Sequence, residues 1–444
     1  MRGYALGECR LGSFDRQFEA QCRVQRPDRY RLLDALPPDR PRIARGGGVS
    51  YVAAGFGKET VSQDLGAFDR LLAFDGGAGR LTVEAGARIG DVQRFLLARG
   101  WYLPVAPGHP RASIGGCIAA DVHGKNPARD GTFRHQVEAM EIHAPLRGTV
   151  VASRQRNPEL FEATCGGLGL TGSIARVSLR LARPPSGLVM RRVPVANLAE
   201  AAAVLRESAN ARVLYGWHDG RAGRLFGRGV VRIGLSADRE DGAIETMPPR
   251  EADLPESVRA LPVAVWNRAG IAAANAWLDW RWRRAGQSPE SLARALFPLN
   301  GARAYFAGFG KAGMIEAQWL VPHRLFDAFA AALAEEVARI RPRITLIASK
   351  LFAGHPDGLS FDGHGIALAI QLAAPREAPQ QRFLETLAGL ALAHEGRPNP
   401  IKDSSLTGAT ARRGIAGFEA ARERLAAHNP GGLHGSELSR RLAL

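Results

Sequence analysis

Lysine is scarce in this 444-residue chain: Lys58, Lys125, Lys311, Lys350 and Lys402 stand against 54 arginines. Acidic residues are also few, 43 against 59 basic ones, which leaves a formal charge of +16. The arginines are dispersed along the whole chain and no helix-turn-helix, zinc-finger or ribonucleoprotein motif accompanies them, so no nucleic-acid partner is expected. Attraction to anionic lipid or to a lipid-phosphate substrate is the reading that remains, beside a compositional preference for arginine. Four cysteines, Cys9, Cys22, Cys117 and Cys165, have neither metal-ligand spacing nor a disulfide framework. They read as small packing residues in a reducing compartment. No metal site is expected, and no serine, histidine and aspartate arrangement for acyl transfer stands out. The chain also lacks an apolar run of the ~18 residues that a spanning helix needs, and Arg2, Glu8, Arg10, Asp15 and Arg16 leave no apolar signal-peptide core near its start. The expectation is a cytoplasmic protein, soluble or peripheral at the inner face of the membrane.

Glycine, by contrast, is plentiful at 51 residues, and three glycine-rich segments lie within the first 172. They are Arg45-Gly-Gly-Gly-Val-Ser-Tyr51, the stretch from Pro107 to Asn126, and Cys165-Gly-Gly-Leu-Gly-Leu-Thr-Gly172. Residues without bulky side chains let such segments lie flat against a ligand, and successive N–H groups in a turn form an anion-binding nest. Three such loops imply a large phosphorylated cofactor. Gly167, Gly169 and Gly172 also spell G-x-G-x-x-G, a fingerprint that needs a strand before it and a helix after it. Here residues 157–164 read as a short helix and 174–181 as a strand, with Val177, Leu179 and Leu181 alternating against Ser178 and Arg180. The order is reversed, and a Rossmann domain is rejected.

A chain of this length exceeds the size at which one core stops growing, so two domains are expected. Leu81, Val83 and Ala85 mark a strand; Ile89, Val92, Phe95 and Leu96 mark a helix that stops near Gly100. The Arg183-Pro-Pro-Ser-Gly187 break is the best boundary between a cofactor domain and a second domain. Beyond it, Asn197 caps a helix with Glu200 three residues on, and residues 213–217 form a strand. Leu325, Phe326, Phe329, Leu333, Val337 and Ile340 trace a buried helix face, flanked by strands near 314–321 and 365–372. Strands and helices without βαβ regularity give an α+β fold over an antiparallel sheet. Residues 236–261 show no period and read as a mobile loop. Four of the seven tryptophans fall between Trp266 and Trp282, among arginines. That stripe reads either as a helix packing its aromatics into a core, the commoner case, or as a membrane interface or entrance for a lipid-linked substrate.

Ala120-Asp-Val-His-Gly-Lys-Asn126, Glu159-Leu-Phe-Glu-Ala-Thr-Cys-Gly-Gly-Leu-Gly-Leu-Thr-Gly172, Ser349-Lys-Leu-Phe352 and Ile401-Lys-Asp-Ser404 add to the order and spacing of the three loops. Together they resemble the vanillyl-alcohol oxidase superfamily of FAD-binding oxidoreductases, and within it the decaprenylphosphoryl-β-D-ribose 2′-oxidase branch. The resemblance runs from near residue 45 to the C-terminus. It implies a two-lobed FAD-binding domain over residues 1–185 and a substrate domain over 186–397 with an antiparallel sheet flanked by helices. A C-terminal segment, 398–444, then returns to the FAD-binding domain. Implied FAD contacts are Gly46, Gly47, Gly48 and Ser50 near the diphosphate and Tyr51 near the isoalloxazine. Gly108, Ser113, Gly115, Gly116, Ala119, His123, Gly124, Asn126, Gly167, Gly172, Ile174 and Lys402 complete them. Relatives often attach the flavin to a histidine in the first loop. That position is Val49 here, so the FAD is expected to be held without a covalent bond.

The resemblance makes His123 and Lys402 the expected catalytic residues. His123, placed beside the flavin, titrates near neutral pH and can hydrogen-bond a reacting hydroxyl or take its proton. Lys402 faces flavin and substrate together, where a cation stabilises the anionic reduced flavin. Lys125, Glu316, Gln318 and Lys350 match the family's substrate pocket, although each also has a structural reading as a solvated loop lysine or a polar strand residue. Two departures separate the chain from the branch. Glu316 replaces the first of two pocket glutamines, and Ile366-Ala-Leu-Ala-Ile370 has no cysteine where the branch carries one. A glutamate repels a nearby phosphate but accepts hydrogen bonds from sugar hydroxyls. The implied function is FAD-dependent oxidation of a secondary sugar hydroxyl, C2 of polyprenyl-phosphate-linked ribose, to a ketone. A partner reductase would then complete an epimerisation that serves cell-envelope polysaccharide. The alternatives are an alditol or aldonolactone oxidase, and a flavin-binding protein without turnover.

Overall fold

The computed structural model describes residues 6–33, 40–144, 146–237, 260–283, 286–298 and 302–444. Its strands form three sheets that follow one another along the chain. The first contains β1 (Gly7–Gly12), β2 (Glu19–Gln25), β3 (Arg42–Arg45) and β4 (Val61–Asp64) in the order β1-β2-β4-β3, with β4 parallel to both neighbours. The second contains β5 (Leu71–Asp75), β6 (Arg80–Glu84), β7 (Val137–Ala144), β8 (Gly148–Ser153) and β9 (Ser173–Arg180), ordered β5-β6-β9-β7-β8 and antiparallel throughout. The third is an eight-stranded antiparallel sheet of β10 (Gly187–Val195), β11 (Val213–His218), β12 (Gly229–Ala237), β13 (Gln287–Pro289), β14 (Met314–Pro322), β15 (Ile344–Ala353), β16 (His364–Ala373) and β17 (Arg397–Pro398). Its order is β13-β10-β12-β11-β15-β16-β14-β17. The fold is α+β. The helix Pro158–Thr164 precedes the third glycine-rich loop and β9 follows it, the reverse of a dinucleotide fingerprint.

Helices Leu198–Glu207, His323–Ile340 and Ala378–Ala393 cover one face of the third sheet. The first is capped by Asn197, whose side chain accepts from the Glu200 N–H at 2.9 Å. Strand residues alternate between faces, so Ile315, Ala317, Trp319 and Val321 of β14 and Ile366, Leu368, Ile370 and Leu372 of β16 meet Phe326, Phe329, Leu333 and Phe383 of the helices. Each large side chain fully buried there contributes roughly 1.5–3 kcal/mol. The same alternation turns Glu316, Gln318 and Gln371 to the opposite face, with Glu316 paired across from Gln371 and Gln318 across from Ala369.

At its far end the third sheet packs on the second: Leu188, Met190, Val213 and Tyr215 share a core with Leu81, Val83, Leu103 and Ile114. After β17 the chain leaves the sheet, and helices Gly408–Gly414, Phe418–His428 and Glu437–Leu442 pack with Ile43, Val52, Leu168 and Leu170. The first sheet escapes a reading of hydrophobic pattern because only Leu11, Cys22 and Val24 of β1 and β2 are buried apolar residues. Of the loop expected over 236–261, the first two residues belong to β12 and residues 238–259 lie outside the described residues. The tryptophan stripe divides. Trp266 donates to the Tyr305 carbonyl at 2.8 Å and packs beside Tyr305 and Phe309. Trp277 and Trp280, on the helix Arg268–Arg283, are 59% and 51% exposed, which corrects a core reading for these two. The Trp282 side chain lies outside the described residues.

Candidate active site

The three glycine-rich loops meet around one cavity that opens to solvent. Its wall includes Gly46, Gly47, Gly48, Val49, Ser50 and Tyr51 from the first loop and Gly108, His109, Ser113, Gly115, Gly116, Cys117 and Ala119 from the second. Leu168, Gly169, Gly172 and Ile174 come from the third, and Ile401 and Lys402 from the C-terminal segment. Glycine is required at 47 because a Cβ there would lie 1.8 Å from the Arg111 carbonyl oxygen; the first loop rests directly on the second. The second segment is not a flat loop throughout. Residues Ile114–Ala119 are helical, with the Ser113 side chain accepting from the Gly116 N–H at 3.1 Å.

Four expected cofactor contacts lie off this wall. A Cβ at Gly167 would strike the Ala163 carbonyl at 2.0 Å, so that glycine lets the loop close on the preceding helix. Asn126 donates to the Ala209 and Ala211 carbonyls and pins its loop to the third sheet. Gly124 packs against Val105, and its carbonyl accepts from Lys350 at 2.8 Å. His123 turns toward the third sheet instead of lining the cavity. His109, Cys117, Arg45 and Ile401 line it without having been named as cofactor contacts; all four carried a signal, since each lies inside a glycine-rich segment or a motif of the resemblance.

The face of the third sheet that its helices leave uncovered gathers the polar residues. Lys402 Nζ is 2.9 Å from Glu316 Oε1 and 4.3 Å from the centre of the Tyr51 ring. Glu316 also accepts from Gln371, whose oxygen accepts from the Tyr305 hydroxyl. Lys350 Nζ lies 3.1 Å from His123 Nδ1, and Gln318 Nε2 lies 3.4 Å from His123 Nε2. Phe352 and Phe361 pack against the same imidazole. Burial raises the cost of ionising Glu316, but Lys402 and the hydrogen bonds from Gln371 and Lys402 outweigh it and hold the carboxyl below its ordinary range. Burial, then Lys402, pulls Lys125 down to about 7. Burial and the neighbouring Lys125 and Lys402 pull Lys350 well below its ordinary value, and burial with Lys350 keeps His123 neutral. Gln371, Tyr305 and Asn399 belong to this constellation and carry no recognisable motif.

Residues 35–153, which hold the first two glycine-rich loops, match the FAD-binding domain family. Over 427 residues the chain is 26% identical to decaprenylphosphoryl-β-D-ribose oxidase of Mycolicibacterium smegmatis, an alignment covering 91% of each protein. These findings show an FAD-dependent oxidoreductase, similar to the vanillyl-alcohol oxidase superfamily. It is also 29% identical over 376 residues to an uncharacterized protein of Streptomyces coelicolor, covering 79% of this chain and 98% of that one. To L-galactono-1,4-lactone dehydrogenase 1 of Oryza sativa it is 29% identical over 160 residues, 36% of this chain and 24% of the other.

FAD fits the cavity by the chemistry of its walls. Glycine and alanine from three loops expose backbone amides to a phosphorylated ligand, and Tyr51, His109 and Lys402 bring aromatic and cationic groups to one region of the wall. Two wall residues bear on attachment. Val49 has no nucleophile. Cys117 has one, but burial pushes its thiol up, and the thiol is a far weaker nucleophile than the thiolate.

Proposed function

We propose that this flavoprotein oxidises a secondary hydroxyl of a sugar to a ketone, with C2 of a polyprenyl-phosphate-linked ribose as the substrate. A partner reductase would then complete the epimerisation. The observation that supports this reading is the gathering of Lys350 and Lys402 around Glu316, with Lys350 and Lys125 beside His123. Three amines against one carboxyl suit a substrate that carries a phosphate, because its charge favours their protonated forms. Bound FAD supplies the acceptor for the hydride that leaves the carbinol carbon. His123, kept neutral by burial and by Lys350, is able to take the hydroxyl proton. Lys402 sets its ammonium on the cavity wall, where it opposes negative charge that develops there. In this reading the first and second sheets are the two lobes that hold FAD, non-covalently. Residues 1–185, 186–397 and 398–444 act as the cofactor domain, the substrate domain and a returning segment.

Glu316 favours a second reading, the oxidation of an uncharged alditol or aldonolactone, because a buried carboxylate repels phosphate and accepts from several hydroxyls. Anaerobic bleaching of the flavin band separates the two. Ribose on a prenyl phosphate should bleach it rapidly, and free alditols and lactones should not. The opposite order would transfer the assignment to the second reading, and no bleaching by either class would sink both.

Among the described residues no helix is long and apolar enough to cross a membrane. The exposed Trp277 and Trp280 beside Arg281 support peripheral contact at an anionic surface, where a lipid-linked substrate resides. Sedimentation with phosphatidylglycerol vesicles should fall when both tryptophans become alanine and when salt is raised; unchanged sedimentation would remove the membrane from this account.

A further inference from the structure

The orientation of His123 is traceable to a backbone group. The Ile401 N–H donates to Asn399 Oδ1 at 3.1 Å, which leaves the Asn399 amide nitrogen to donate to Gln318 Oε1 at 2.7 Å. With its oxygen engaged, Gln318 turns its NH2 toward His123 Nε2 at 3.4 Å. A backbone N–H is an unambiguous donor, whereas the two ends of a side-chain amide look alike, so the sense of the whole chain follows from Ile401. Asn399 and Gln318 are both buried, and the Asn399 N–H also donates to the Gln318 carbonyl at 2.9 Å.

An NH2 group facing Nε2 requires a lone pair on that nitrogen, and a neutral imidazole then carries its proton on Nδ1. Nδ1 lies 3.1 Å from Lys350 Nζ and 3.3 Å from the Gly124 carbonyl. Lys350 donates to the same carbonyl, and an uncharged amine in that place is able to accept from Nδ1–H. Burial, with Lys125 and Lys402 nearby, favours that uncharged form.

We infer that Asn399 and Gln318 are positioning residues that set the tautomer of His123, keeping its proton on Nδ1 and its Nε2 lone pair ready for the substrate. The role rests on the reading of His123 as the proton acceptor. When a substrate hydroxyl displaces the Gln318 amide, its O–H bond breaks and an N–H bond forms at Nε2. The hydride lost from carbon is the one that the flavin oxidoreductase activity already accounts for. The charged and titratable groups around the imidazole are Lys350 on β15, Lys125 on its own loop and Lys402 on the C-terminal turn, with Glu316 on β14 facing the two lysines Lys350 and Lys402.

Nitrogen-15 spectra of the FAD-loaded protein labelled at histidine, assigned with His123→Gln, read the tautomer without any substrate. The wild type should show a pyrrole-type Nδ1 and a pyridine-type Nε2. Asn399→Asp keeps the shape and the bond from Ile401 but no longer donates to Gln318, so Gln318 reverses and offers its oxygen to Nε2. The pyrrole-type signal should then move to Nε2, and kcat should fall at least tenfold with KM little changed. A purely structural Asn399 would not move a histidine proton. A wild-type Nε2–H tautomer, or unchanged nitrogen signals in Asn399→Asp, would overturn the inference. The predicted tautomer together with a flavin that no sugar bleaches would instead sink the substrate reading and leave the tautomer relay standing.

Discussion

Replacing Glu316 with glutamine removes the negative charge that faces Lys402 and Lys350 at nearly constant shape, and it separates the two substrate readings. Glu316 is 5% exposed and its partner Lys402 has a side chain 27% exposed. Removing one partner of a fully buried pair costs about 3–5 kcal/mol, but Lys402 keeps contact with solvent and with the Tyr51 ring, so a loss of about 1–2 kcal/mol is the more reasonable figure. The effect on ligands runs the other way. A unit charge ~5 Å from a bound anionic group, at an effective dielectric constant of ~20, repels it by about 3 kcal/mol. Because 1.4 kcal/mol is tenfold, Glu316→Gln should bind inorganic phosphate roughly 100-fold more tightly and polyols less well. Titration calorimetry on the FAD-loaded protein, at low and physiological salt, reads both ligands. The carboxyl titrates lower folded than unfolded, so its stabilisation is present above the unfolded value of ~4.3 and is lost as pH falls through the folded value. The difference in Tm between wild type and variant should therefore persist at pH 7 and close in acid. Equal phosphate affinity in the two proteins would refute the claim that the Glu316 charge is felt where the substrate binds.

Lys402→Ala should slow flavin reduction by about 10²-fold to 10³-fold, with Lys402→Arg a poor substitute because a planar fork does not fit a compact ammonium site. The ion pair with Glu316 makes a stability cost part of that substitution, so rates should be compared in the Glu316→Gln background; a normal rate there would leave His123 as the leading catalytic group. Acid precipitation should leave the flavin in the supernatant, since Val49 offers no nucleophile and burial suppresses the Cys117 thiolate. Flavin fluorescence on a denatured protein band would show that a covalent bond exists.

The legible parts of the fold are those where the period of buried residues is strong. Asn197 with Glu200, the helix face from Phe326 to Val337, and the strands around 314–321 and 365–372 all announce themselves by spacing. The first sheet does not, because Arg10, Glu19, Gln21 and Arg23 dilute its alternation and two of its buried positions are Cys22 and Gln25. In the site, Glu316 and Gln318 are two apart on a strand and must share a face. What spacing leaves undetermined is the register that sets Glu316 opposite Gln371 and the turn that brings Asn399 beneath Gln318. A lone asparagine after a proline has many structural uses, and its hydrogen-bond partner is decided only by tertiary contact.

The scarcity of lysine gains a physical meaning from this arrangement. Lys58 and Lys311 are exposed, whereas Lys350 and Lys402 face Glu316 and Lys350 and Lys125 lie near His123. An arginine stays charged at any ordinary pH, while a buried lysine sheds its proton when desolvation demands it. Lys125 does so at about 7. A base whose folded value lies below its unfolded value of ~10.4 weakens the fold, increasingly so as pH falls from about 10 toward 7. Lys125→Met should therefore be more stable than the wild type at pH 7, by on the order of 2–4 kcal/mol, and equal to it above about pH 10.5. Lys125→Arg fixes the charge in the same buried place and should lose stability over that entire range. Thermal unfolding of the FAD-loaded proteins from pH 6 to pH 10.5 checks both signs. If Lys125→Met is no more stable at pH 7, Lys125 is solvated there, and the argument that this site holds uncharged lysines in reserve for an anionic substrate fails with it.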